Sequence, residues 1–268
     1  MDKIYVLGTG TASSIDNYNT CFILEDKNHD YLLVDAGGGN GILKQLKECN
    51  IDYLNIHNIF ISHKHIDHML GVIWLYRNVE IAMKNGIYDG ILNIYCNDEV
   101  AALLTFLIKK LLRKEQQKYL DKRIFINSVK DHETVKILNY NIEFLDLHAK
   151  SDIQYGFKTV LNNGKVLVFT GDEPMDESLY DDARNADYLL HEAFCLEEES
   201  MYFKPREKNH DTVAFAALKA SKIGIRNLVL WHSNDNLGKN RKDKYSKEAL
   251  KYFNGNVYVP DDLDIIEL

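Results

Sequence analysis

Three histidines and an aspartate fall within six positions, in His63-Lys64-His65-Ile66-Asp67-His68, directly after the apolar run Asn58–Ile61. The whole chain has ten histidines, so this density needs a chemical reason. In an extended segment residues two apart point the same way, so His63 and His65 can converge on one cation. Asp67 and His68 lead into the next helix, where they can face a second. Imidazole nitrogens with one carboxylate suit zinc, and manganese or iron accept the same donors. The alternative is a polar turn capping the following helix, but a cap needs one polar side chain and four stand here.

A metal site needs further donors, and three more strand-like runs each end on one. Ile142–Leu147 ends at His148, Lys165–Thr170 at Gly171-Asp172, and Asn227–Trp231 at His232. Singly, His148 or His232 reads as a structural histidine. Four strands delivering donors at their ends point to a common rim.

The elements that must position these residues alternate along the chain. Short strands are expected at Lys3–Leu7, Cys21–Glu25, Tyr31–Val34 and Asn58–Ile61, with a helix at Gly41–Cys49. Met69–Met83 reads as a buried helix through Leu70, Ile73, Trp74 and Val79, and another starts near Asp98. A meander from Arg123 to Thr170 follows, with Asn163-Gly164 as a hairpin turn. Helices are then expected at Asp176–Ala186, Thr212–Ile223 and Ser246–Phe253, between strands at Tyr188–His191, Asn227–Trp231 and the C-terminus. Two batches of strands flanked by helices predict an α/β chain of two packed sheets.

At 268 residues and 46% hydrophobic, the chain can bury a sizeable core, and with three prolines and no low-complexity linker it reads as a single domain over 1–268. A net charge of −8 argues against a protein that coats nucleic acid nonspecifically. Cys21, Cys49, Cys96 and Cys195 form no CxxC pair, which suits free thiols in a reducing cytoplasm. No apolar run approaches the roughly 20 residues of a membrane helix, and no signal peptide opens the chain. The expectation is a cytoplasmic protein with no membrane partner.

HxHxDH at His63–His68, followed in order by His148, Asp172 and His232, resembles the metallo-β-lactamase superfamily over nearly the whole chain. The resemblance implies a four-layer αββα sandwich and two metal ions. His63, His65 and His148 would hold one, Asp67, His68 and His232 the other, and Asp172 would bridge. Asp35, in LLVDAGGG, would buttress the histidine loop. His65 stands where diiron oxidoreductases of this fold usually carry glutamate, which points to a hydrolase with two Zn2+ (or Mn2+ or Fe2+).

The C-terminal third is similar to ribonuclease Z and its relatives, with His191-Glu192-Ala193-Phe194 matching their HEAT segment and His210 preceding the last ligand. That likeness implies a phosphodiesterase, a metal-bridging hydroxide attacking phosphorus, His210 as general acid, Glu192 tuning it, and a homodimer. The substrate would be RNA or a small nucleotide. Departures are clear: only Ala149–Gly171 separates His148 from Asp172, which leaves no room for the family's long tRNA-gripping arm. Two basic stretches, Lys109–Arg123 and Gly238–Lys247, could meet a polyanion, and the second follows the last ligand. Two competing readings keep the fold, a thioesterase or lactonase attacking carbon and a regulatory module that binds metal or nucleotide.

Overall fold

A computed structural model describes residues 1–268. The first sheet holds β1 (Lys3–Gly8), β2 (Cys21–Glu25), β3 (Tyr31–Val34), β4 (Ile56–Phe60), β5 (Leu92–Cys96) and β6 (Ile124–Ser128). The second holds β7 (Thr134–Ile137), β8 (Tyr140–Asp146), β9 (Tyr155–Val160), β10 (Val166–Phe169), β11 (Tyr188–Glu192), β12 (Asn227–Trp231) and β13 (Asn256–Tyr258). A last strand, β14 (Ile265–Glu267), returns to pair with β1, giving two seven-stranded sheets in the orders β14-β1-β2-β3-β4-β5-β6 and β13-β12-β11-β10-β9-β8-β7. The helices are α1 (Gly41–Glu48), α2 (Ile66–Lys84), α3 (Asp98–Leu111), α4 (Tyr180–Ala183), α5 (Ser200–Phe203), α6 (Val213–Lys222) and α7 (Arg241–Ala249).

Strand alternation builds three apolar layers. In β1 and β2, Ile4, Val6, Phe22 and Leu24 face the middle core, while Leu7, Cys21 and Ile23 face the outer one with α2 and α3. In β12, Val229 and Trp231 face the middle and Leu228 and Leu230 the other outer layer, with α6 and α7. Sheets buried on both faces explain why these strands are apolar at nearly every position. The middle layer is aromatic: Phe22 lies 5.3 Å from Phe169 and 5.0 Å from Trp231 between ring centroids. The order helix, sheet, sheet, helix is the expected αββα sandwich.

Several expectations needed correction. Trp74 is 41% exposed and Leu70 and Ile73 are only partly buried, because α2 turns Met69, Val72, Tyr76 and Val79 to the sheet instead. Apolar residues ring this helix, so its phase is set by packing and not by pattern. The helix expected at Asp176–Ala186 shrinks to α4 with a preceding single turn, Glu177–Leu179. The last helix begins earlier, at Arg241. Strands β5 and β13 had no forecast. The helix expected near Asp98 does begin there, with Asn97 as its cap, accepting from Val100 N. No helix is long and apolar enough to cross a membrane.

Candidate metal centre

Strands β3 to β6 run parallel, as do β10 to β13, and β8 runs the same way as β10 through two antiparallel pairings. Their C-terminal ends form one rim, the usual crevice of α/β sheets. At this rim the chain turns sharply, with Asp35 (φ 56°), His148 (φ 52°), Gly171 (φ 61°) and His232 (φ 53°) all left-handed. For non-glycine residues this conformation costs on the order of 1–3 kcal/mol and persists where surrounding structure demands it.

The donors meet beneath that rim. His68 Nε2 lies 3.4 Å from Asp67 Oδ2 and 3.4 Å from Asp172 Oδ2. His232 Nε2 lies 3.6 Å and 3.4 Å from the same two oxygens. On the other side Asp172 Oδ1 lies 3.5 Å from His63 Nε2, and His65 joins that pair. A cation about 2.1 Å from each of four tetrahedral donors sets donor–donor edges of about 3.4 Å. His63 Nε2, His68 Nε2, His232 Nε2 and Asp172 Oδ1 are all buried with no hydrogen-bond partner. Buried polar atoms are almost always paired, so four orphans in one spot fit a metal.

A second layer orients the donors. Asp35 accepts from Ser62 N (2.8 Å), Ser62 Oγ (2.7 Å) and His68 Nδ1 (2.8 Å). Ser62 Oγ also sits 3.0 Å from His63 Nδ1. With both Nδ1 atoms engaged, both Nε2 atoms are free for a cation. The Asp35 turn is held in turn by α2, since Ala36 N donates to His68 O and Gly71 N to Gly37 O, each at 2.8 Å. Burial lowers His63 to about 3, keeping it neutral. Burial alone would raise Asp172, but His63, His68 and His232 outweigh it and hold the carboxyl well below its usual range.

Beside this cluster, His210 Nδ1 lies 3.2 Å from Asp172 O and 3.5 Å from Glu192 Oε2. Glu192 is fully buried at the end of β11, where burial pushes its carboxyl well above the usual range. Its other oxygen accepts from Asp211 N. Nδ1 being engaged, Nε2 is the His210 nitrogen left for a ligand.

Of the expected ligands, His65 stays with its donor group but has a second partner, and His148 is placed elsewhere. His65 Nε2 pairs with Asp152 Oδ2 at 3.1 Å, and Lys64 bonds the other Asp152 oxygen at 2.6 Å. His148 is not brought to the cluster. Its N–H bonds Asp146 Oδ1 at 2.8 Å in a tight turn, and its ring stands half-exposed beside that carboxylate. Neither basic stretch lines the cleft. Lys109–Arg123 lies on α3 and the turn beyond it, and in Gly238–Lys247 the residues Arg241, Lys242 and Lys247 are tied to Asp261, Asp264 and Asp243. Asp152 and Lys208 were missed by sequence reasoning, and Phe194, though part of the HEAT-like segment, was given no role there. None carries a spacing signal, and each matters only through a contact made by folding.

The family model described as anti-Pycsar protein Apyc1 matches residues 2–204. The chain belongs to that family. This Apyc1-family chain is 23% identical to the ribonuclease Z of Methanosarcina acetivorans over 306 residues, spanning 100% of this chain and 98% of the relative. It is 26% identical to the ribonuclease Z of Picrophilus torridus over 271 residues, spanning 86% and 85%. Among solved structures, the metallo-β-lactamase fold protein YhfI from Bacillus subtilis superposes with a TM-score of 0.79 at 20% identity, covering 99% and 98% of the two chains. The short form of human tRNase Z superposes at 0.74 and 18% identity, covering 99% and 98%. The superpositions establish the metallo-β-lactamase fold. The full-length sequence likeness makes the Apyc1-family chain a ribonuclease Z-like, metal-dependent hydrolase.

Proposed function

We propose that the chain is a dinuclear-metal phosphodiesterase, with zinc as the expected metal. The observation that carries this reading is Asp172, which offers one oxygen to His63 and the other to His68 and His232 at 3.4–3.5 Å. When bound, two cations supply an activated water and Lewis-acid charge for displacement at phosphorus.

The chain's own residues do the rest. Asp67, His68, His232 and Asp172 form a preformed four-donor position. His63, His65 and Asp172 form a second, which we read as completed by His148 when that residue leaves Asp146 and His65 leaves Asp152. His210, held through Nδ1, presents Nε2 to the cleft and protonates the departing oxygen. Glu192, buried and beside Nδ1, fixes the orientation of the ring.

A cleft of about 490 Å3 opens over the metal donors, with His210 on its wall. Its size lies in the range of small-ligand sites. Between His148 and Asp172 the chain spends its length on β9 and β10. Both features favour a small nucleotide ester or a strand end over the body of a tRNA. The homodimer has one supporting feature, a groove of about 840 Å3 edged by Trp74, Ile73 and Leu111. A single domain is supported by the middle core, which draws on both sheets. All four cysteines are free, and burial pushes Cys96 and Cys195 up to about 12, so inert thiols suit a reducing cytoplasm.

The test is a screen of metal-reconstituted protein against a bis-aryl phosphodiester, pre-tRNA, cyclic nucleotides and a thioester. Turnover of a phosphodiester and not of the thioester supports the reading. Turnover of the thioester alone refutes it.

A further inference from the structure

Lys208 is the single lysine or arginine lining the metal cleft, and it forms no ion pair. Its neighbours on the same segment are paired: Lys204 with Glu207 at 3.1 Å, and Arg206 with Glu197 at 3.4 Å. In a chain of net charge −8, an unpaired cation on the wall of an anion-processing cleft calls for a partner.

The Lys208 side chain is exposed, and its place over the cleft is set by the backbone turn that carries it. Lys208 ends a short turn, Pro205–Lys208, bracketed by Lys204 (φ 49°) and Asn209 (φ 55°), both left-handed. His210 N closes that turn on Pro205 O at 3.0 Å, so the lysine and His210 are carried by one loop. The Lys208 Nζ lies over the Phe194 ring, 5.4 Å from its centroid, within cation–π range. The same ring stacks on His210, with planes 6° apart and centroids 5.1 Å apart. His210 lies 5.3 Å from the His232 ring. Phe194 therefore touches both the cation and the imidazole, and the lysine stands on the His210 side of the donor cluster.

Resting on the phosphodiesterase reading, we infer that Lys208 binds a phosphate oxygen of the substrate on the leaving-group side and thereby selects anionic esters over neutral ones. Phe194 is a positioning residue that holds Lys208 and His210 in register.

Steady-state kinetics on the metal-reconstituted full chain test this, with a bis-aryl phosphodiester, a dinucleotide carrying a further phosphate beyond the scissile one, and a neutral aryl ester. Lys208→Ala should raise KM for an anionic substrate about tenfold, as loss of a charge-assisted hydrogen bond does. The loss should fall on KM more than on kcat, be recovered in Lys208→Arg, and be far smaller for the neutral ester. The slope of log(kcat/KM) against log salt should become shallower by about one ion. A rise with both anionic substrates assigns the scissile phosphate, and a rise with the dinucleotide alone assigns the neighbouring one. Phe194→Leu should raise KM and lower kcat together, with rescue by Phe194→Tyr. Unchanged KM and salt slope in Lys208→Ala overturn the inference while wild-type phosphodiester turnover stands. Wild-type failure on every phosphodiester instead refutes the reading beneath it.

Discussion

Replacing Asp35 with asparagine tests how the metal donors are oriented while leaving every ligand in place. The Asp35 carboxylate is buried and accepts three hydrogen bonds within 2.7–2.8 Å. The Ser62 N–H is fixed by the backbone, so an asparagine must turn its oxygen toward it and its NH2 toward His68 Nδ1. To ligate a cation through Nε2, the atom that faces Asp67 and Asp172, His68 must then keep its proton on Nδ1, where it meets the asparagine NH2 donor to donor. The backbone is not a confounder, because asparagine tolerates the left-handed φ of 56° as well as aspartate does. Loss of such an outer hydrogen bond costs about 10- to 100-fold in metal affinity, or about 1.4–2.8 kcal/mol. Competition against a chromophoric chelator measures that loss. An unchanged affinity would refute the argument.

Asp67→Ala removes a donor to the preformed position and should abolish phosphodiester turnover to within background, and retained turnover would sink the mechanism. Metal titration should show two unequal steps, because only one position is preformed. His148→Ala should delete the weaker step alone, a pattern readable by calorimetry. Gly71→Ala places a Cβ 1.9 Å from Ala36 O and should lower stability by about 1–3 kcal/mol in thermal melts, whereas Gly39→Ala, with no atom within 4 Å, should be near neutral. His191 donates through Nδ1 to Glu192 O and accepts from Met175 N, and burial lowers its pKa from 6.5 to about 4 against the opposing pull of Asp211. Its folded pKa lies below the unfolded one, so its share of stability is complete above pH 6.5 and is lost as pH falls toward 4. The loss is about 1.4 kcal/mol per pH unit across that window. In denaturant midpoints of chelator-treated protein, His191→Gln should show a shallower acid slope than the wild type.

Much of the centre was readable before folding, because strands oblige it. A strand of period two that ends in a sharp turn must deliver its next polar residue to the rim, so His63, Asp172 and His232 announced themselves by following apolar runs. The sandwich itself followed from two batches of strands with both faces apolar. What periodicity could not supply was phase and partnership. Trp74 faces out because α2 packs on one side only, and an all-round apolar helix has no preferred face in its sequence. His148 ends a strand as the others do, yet it rests on Asp146 because a two-residue turn competes with the metal centre for it. Lys208 looks like one lysine among many until the turn at Pro205 swings it over Phe194 and into the cleft. Donor identity is a local property of strand ends and is written in the sequence. Which donors meet, and what stands beside them, depends on long-range contacts between the sheets and loops that only the tertiary structure decides.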